Sequence, residues 1–232
     1  MIQSDLDHAA GAASFMDLFR NKTACNGLII SVLLMVFQQF SGINAIIFYA
    51  VTIFKNSGTG LNASICAIIV GVTQVILTLI SSLLIERAGR KALLIFSSTM
   101  MSISLAILGT YFDMKAHGKH VGDLAWLPLF CVILYMICYA IGYGPIPWLM
   151  MGELFLPNFK ALAMGLSVMT NWFFVFVVTT CFGYMMAGWG SDFTFWFFAS
   201  CMMVATIFVS LMVLETKGKT AAQIQSWLGG NR

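Results

Sequence analysis

The sequence predicts an all-α membrane protein folded as a bundle of six transmembrane helices. Three observations carry that expectation. Of the 232 residues, 60% are hydrophobic and only 9% are charged, against about 25% charged in ordinary soluble chains, and the mean hydropathy is +0.91. The charges are also clustered, since none falls in 23–54, 56–85, 92–112, 124–152, 161–191 or 193–214. Each interval is long enough to cross a hydrocarbon core of about 30 Å, which takes roughly 20 helical residues. These runs are apolar on every side, whereas barrel strands alternate in polarity over about ten residues, so a membrane barrel is excluded. The same composition excludes other classes. A net charge of +3 with scattered basic residues lacks the patch that binds nucleic acid. With no grouped nucleophile and base and no metal-ligand cluster, the chain is not expected to be an enzyme or to need a catalytic residue, metal or cofactor.

In chain order, residues 1–23 form a polar N-terminal segment carrying Asp5, Asp7 and Asp17. It lacks the pattern of a cleaved leader, so the first span is expected to act as its own insertion signal. The bundle then occupies 24–214, with spans at about 27–50, 62–85, 92–112, 125–149, 161–186 and 193–214, and 215–232 form a polar tail. No 20–50-residue repeat and no internal linker divides it. In the first span Gln38, Ser41 and Asn44 recur every three residues, a stripe along one helix side, with Gln39 about 100° away. Gln74 lies in the second span and Asn171 in the fifth. Burying an unpaired amide in hydrocarbon is costly, so these groups must have partners. Helix-to-helix hydrogen bonding is one use of them. Five neutral amides in three spans, each able to give and take hydrogen bonds, also suit a polyhydroxylated substrate.

The fourth span ends in Gly142-Tyr143-Gly144-Pro145-Ile146-Pro147-Trp148. Two prolines and two glycines this close predict a broken helix, which a membrane tolerates only where the freed backbone faces protein or a wet cavity. Broken helices are how secondary transporters combine a binding site with movement. Gly144, Pro145 and Pro147 are therefore candidate hinge residues, and Gly42 after Ser41 lets the first span bend. Trp148 offers a flat apolar face with one N–H, suited to stacking on a sugar ring, and equally to an interfacial belt.

Lys and Arg in short loops mark the cytoplasmic side. Arg20, Lys22, Arg87, Arg90, Lys91, Lys160, Lys217, Lys219 and Arg232 share one side, and Lys55, Lys115 and Lys119 the other. Both termini are thus expected in the cytoplasm. Glu86, Glu153 and Glu215 stand at helix ends on the basic side, where pairing with Arg90, Lys160 or Lys217 would latch one conformation. The six cysteines lie inside spans without a C-x-x-C pair, as small apolar packing residues do. His8, His117 and His120 lie outside the spans. Of two N-x-S/T matches, Asn21 falls on the cytoplasmic side and Asn62 lies outside but close to the membrane.

Gln38-Gln39-Phe40-Ser41-Gly42-Ile43-Asn44 resembles the seventh-helix motif of the sugar porters within the major facilitator superfamily. Glu86-Arg87-Ala88-Gly89-Arg90-Lys91 is similar to that family's loop between helices eight and nine. Gly144-Pro145-Ile146-Pro147-Trp148 is similar to its tenth-helix motif, and Glu215-Thr216-Lys217-Gly218 to the motif after helix twelve. The run from Gly144 to Glu153 most resembles facilitated trehalose transporters of the insect type. The resemblance covers nearly the whole chain but only the second half of the family's twelve-helix fold. It implies sugar contacts at Gln38, Gln39, Asn44, Gln74, Trp148 and Asn171, an outer gate at Tyr49, and a cytoplasmic salt-bridge latch of Glu86, Arg90, Glu153, Lys160 and Glu215. Three departures accompany it. Leu214 replaces the usual Pro before Glu215, Ala140 stands where several members have a carboxylate, and Lys160 stands where Arg is typical, losing bidentate geometry.

The function so implied is facilitated diffusion of trehalose or a hexose across the plasma membrane by alternating access, as a partial or truncated carrier. Its partners would be the sugar, the lipid bilayer, and either a missing N-terminal six-helix half or a second copy, with no nucleic acid. Two alternatives stay open. Half of a proton-coupled symporter needs an intramembrane acid, and the six spans contain none. A non-transporting fragment that modulates full-length carriers fits the half-length.

Overall fold

A computed structural model of the chain describes residues 15–57 and 62–230, without the side chains at 63, 80, 82–84, 86 and 87. Among the described residues all regular structure is helical. A short α1 (Phe15–Arg20) leads into α2 (Lys22–Phe40), whose first turn is capped by the Asn21 side chain accepting from the N–H groups of Thr23 and Ala24. The expected span 27–50 is not one helix. Gly42, at φ 83°, ends α2 in a left-handed turn that favours glycine, and α3 (Ile43–Phe48) and α4 (Ala50–Ser57) follow with a kink at Tyr49.

Asn62 caps α5 (Ala63–Ala88) by accepting from Ser64 N–H, so both N-x-S/T asparagines are helix caps. Gly89 alone separates α5 from α6 (Arg90–Ala116). The fourth span divides into α7 (Leu127–Ile141) and α8 (Ile146–Leu154). Then come α9 (Pro157–Gly188), with proline in its first turn where no N–H is needed, α10 (Ser191–Met212) and a tail helix, α11 (Ala221–Gly229). Thr220 and Gln223 form a reciprocal capping box that starts α11.

Among the described residues five stretches are long and apolar enough to cross a membrane: Lys22–Phe48, Arg90–Ala116, Gly122–Leu154, Pro157–Gly188 and Ser191–Met212. The second expected span lies in α5, 26 residues long, where the apolar stretch within the described residues is Ser64–Leu79. Large apolar side chains face outward on α5 (Ile65, Ile68, Val72, Val75, Leu79) and α9 (Met169, Trp172, Phe173, Phe176). That arrangement is stable against lipid and costly against water.

Inside, α6 packs between α7 and α10, α9 lies along α2, and α5 lies along α7. Without a strong hydrophobic drive between helices in lipid, hydroxyl-to-carbonyl bonds and close packing hold such contacts. α6 shows this directly. Ser97 and Ser104 donate to the Cys138 and Cys131 carbonyls of α7 at 2.8 and 2.6 Å, and Ser102 donates to the Ala199 carbonyl of α10 at 2.7 Å. All six cysteines are free thiols.

Candidate functional site

The site begins with two broken helices, each closed by a side chain from the other. Pro147 has no N–H to give the Tyr143 carbonyl four residues earlier, so the turn between α7 and α8 leaves backbone acceptors open. The Gln38 amide of α2 fills them, donating to the carbonyls of Tyr143 and Gly144 at 2.9 and 2.8 Å. In return Tyr135 of α7 donates to the Ser41 carbonyl at 2.9 Å, exactly at the residue before the left-handed Gly42. Ser41 Oγ also donates to the Gln38 carbonyl at 2.6 Å, closing the last turn of α2.

Asn171 of α9 joins this pair by donating to Gln38 Oε1 at 2.8 Å, and its Nδ2 lies 3.3 Å from the Met35 sulfur. Gln38 and Asn171 are thus brought together at the break, both buried. Gln39 and Asn44 form a second pair, with Asn44 Nδ2 donating to Gln39 Oε1 at 2.7 Å. The turn at Gly42 folds Asn44 back toward Gln39, so the straight stripe expected for Gln38, Ser41 and Asn44 is interrupted. Among the described residues Gln39 Nε2, Asn44 Oδ1 and Asn171 Oδ1 form no hydrogen bond, which leaves one donor group and two acceptors open.

Gln74 and Trp148 stand apart from this network. The Gln74 side chain is half-buried on α5 and Trp148 is 40% exposed on α8, and neither side chain bonds to a described residue. Tyr49 sits at the kink between α3 and α4, its ring 5.0 Å from that of Phe182 and its hydroxyl 3.5 Å from the Thr179 carbonyl. The larger cavities lie elsewhere, including an apolar groove of about 410 Å³ between α2, α9 and α10 lined by Phe40, Phe197 and Phe198.

At the charged end, Gly89 takes φ 90° and has no side chain to cap α6. Glu215, from the far end of the chain, does so instead. Its Oε1 accepts from the N–H groups of Arg90 at 2.9 Å and Lys217 at 3.0 Å, and its Oε2 accepts from Lys91 N–H at 3.0 Å. A Cβ at Gly89 would lie 2.7 Å from Glu215 Oε2, so glycine is required twice over. Burial alone would raise the Glu215 carboxyl, but the N–H groups of Lys217, Arg90 and Lys91 and the Arg90 charge outweigh it and hold the carboxyl below its ordinary value.

Arg90 Nη2 also pairs with Glu153 Oε1 at 3.0 Å, and Lys91 Nζ donates to the Ser210 carbonyl at 2.8 Å. Lys160 is half-buried with its ammonium over Gly152, and it pairs with none of the described carboxylates. The Glu86 side chain lies outside the described residues. Gln225 and Asn26 tie the tail helix in place, donating to the carbonyls of Leu154 and Leu228 at 2.9 and 2.8 Å.

Sequence reasoning missed Tyr135, Ser97 and the tail helix. A lone Tyr or Ser in an apolar run carries no pattern, whereas Thr220 three residues before Gln223 is a readable capping signal.

The profile described as Sugar (and other) transporter matches residues 1–228. The facilitated trehalose transporter Tret1 of Drosophila pseudoobscura pseudoobscura is 43% identical over 228 residues, 98% of this chain but 26% of that protein. A double-tryptophan variant of XylE superposes with a TM-score of 0.81 at 28% identity, covering 98% of this chain and 47% of XylE. The proton:xylose symporter XylE bound to 6-bromo-6-deoxy-D-glucose gives a TM-score of 0.78 over the same shares. The chain therefore spans about a quarter of the trehalose transporter and about half of XylE, with the architecture of one six-helix half of the major facilitator fold. It belongs to the sugar (and other) transporter family, a family of membrane carriers and not of enzymes.

Proposed function

We propose that the chain is half of a carrier that passes trehalose or a hexose across the plasma membrane by facilitated diffusion, with both termini in the cytoplasm. The observation that supports it best is the set of amides built on two mutually closed helix breaks. Gln38 and Asn171 hold the breaks together, while Gln39 Nε2, Asn44 Oδ1 and Asn171 Oδ1 keep free the donors and acceptors that a hydroxylated ligand needs. Trp148, exposed beside the break, is the stacking face, and Gln74 a further amide. Tyr49 against Phe182 serves as the outer gate, and the charged end holding Arg90, Glu153 and Glu215 as the cytoplasmic latch.

In this reading the six helices rock against a second six-helix half, and Gly42, Gly144, Pro145 and Pro147 absorb the change. Sugar binding to the purified chain, followed by the fluorescence of its tryptophans, tests it. Saturable quenching by trehalose or glucose that is lost in Trp148→Ala and Gln39→Leu is the expected result, and no sugar response, or an unchanged one in both variants, refutes the site. Because the chain spans 26% of its trehalose-transporter relative, a second reading makes it a fragment that modulates full-length carriers. Co-expression with such a carrier separates the two: altered uptake without sugar binding by the chain favours the modulator.

A further inference from the structure

The break between α7 and α8 has a third support that comes from neither the amides nor the prolines. Ser97, in the first third of α6, is fully buried, and its hydroxyl bonds both to the end of α7 and to the turn that follows it. It donates to the Cys138 carbonyl in the last turn of α7 at 2.8 Å, with the Met101 sulfur farther off at 3.4 Å. It also accepts the Tyr143 N–H at 3.1 Å. In an unbroken helix that N–H would bond to the Tyr139 carbonyl, but Gly144 N–H has taken that acceptor at 2.8 Å. The displaced donor is buried, and an unpaired buried N–H is costly.

Gly142 makes the contact possible. A Cβ there would fall 2.4 Å from Ser97 Cβ and 2.6 Å from the Leu93 carbonyl oxygen, so only glycine lets the break approach α6 this closely. α6 is itself fixed to α10 through Ser102 and to the upper part of α7 through Ser104. One hydroxyl therefore ties the turn to the helix that packs between α7 and α10.

We infer that Ser97 is a positioning residue that pins the α7–α8 break to α6 and sets how readily α8 changes its angle. Ser104 supplies the matched comparison. It lies seven residues on, on the same side of α6, and donates to an α7 carbonyl in the same way, but it accepts no displaced N–H. Removing either hydroxyl costs a similar bond, and only Ser97→Ala leaves Tyr143 N–H without an acceptor.

Amide hydrogen exchange of the chain in micelles tests this. In Ser97→Ala, the amides of residues 142–144 should exchange about tenfold faster or more, the cost of an unsatisfied buried donor, while Ser104→Ala leaves them within about twofold of wild type. Ser97→Cys, with its weaker hydrogen bonding, should fall between and guards against a simple packing defect. Unchanged exchange in Ser97→Ala, or an equal increase in Ser104→Ala, overturns the inference.

The consequence for transport rests on the carrier reading. In the chain joined to a six-helix first half, Ser97→Ala should change sugar turnover several-fold with KM within about twofold, and Ser104→Ala should leave both. Equal effects of the two variants on turnover contradict the pin. If the joined wild type moves no sugar, the carrier reading falls while amide exchange still decides the role of Ser97.

Discussion

Replacing Gln38 by Leu removes the group that closes the α7–α8 break. Three hydrogen bonds go with it: those to the carbonyls of Tyr143 and Gly144, and the one accepted from Asn171. Side-chain hydrogen bonds between membrane helices average about 0.6 kcal/mol and reach about 1.7 kcal/mol, and a buried group left unpaired costs about 1–3 kcal/mol. For three bonds at a fully packed position the loss should be about 2–4 kcal/mol. Asn171→Leu loses one of these bonds and the sulfur contact, and should cost about 1 kcal/mol. The double variant should then fall short of the sum by about 1 kcal/mol, since the two side chains bond each other. Reversible denaturation of the chain in mixed detergent micelles, followed by helicity, measures all three. A loss below about 0.5 kcal/mol for Gln38→Leu, or strict additivity with Asn171→Leu, would refute the reasoning.

Three further outcomes follow from the charged end and the second break. Because the folded Glu215 carboxyl is held below its ordinary value of 4.5, its stabilisation is complete above that pH and disappears as pH falls through the lowered value. Glu215→Gln should therefore be less stable at neutral pH and lose less on acidification, and parallel pH profiles in thermal melts would contradict the cap. Gly89→Ala forces a side chain into left-handed backbone and against Glu215 Oε2, so it should cost more than about 1 kcal/mol, and an unchanged melting temperature would count against the turn geometry. Tyr135→Phe deletes the hydroxyl that donates to the Ser41 carbonyl, with Ser41 Oγ beside it at 3.2 Å, and should cost about 1 kcal/mol, with amide exchange rising around Gly42; no rise there would separate the two breaks.

Charge placement was enough to find the long apolar helices, five of which among the described residues are long and apolar enough to cross a membrane, because lipid admits so few charged residues that their positions mark the loops. The α7–α8 break was equally readable, since two prolines and two glycines within a few residues leave a helix little alternative. The partners of that break were not. Gln38 could be read as a ligand or as a brace, and only its two bonds to the Tyr143 and Gly144 carbonyls show it acting as a brace. The kink at Tyr49 has no proline or glycine to announce it, and there the Tyr49 ring packs against Phe182, far away in sequence. Gly89 was expected to make a tight turn, but its role beside Glu215 depends on residues 126 positions apart, which local sequence cannot relate.

Uptake of labelled trehalose and glucose into liposomes holding the chain joined to a six-helix first half tests the central claim most directly. The account predicts saturable uptake above that of protein-free liposomes, abolished by Gln39→Leu and by Trp148→Ala. Absence of uptake, or uptake unaffected by both substitutions, would contradict it.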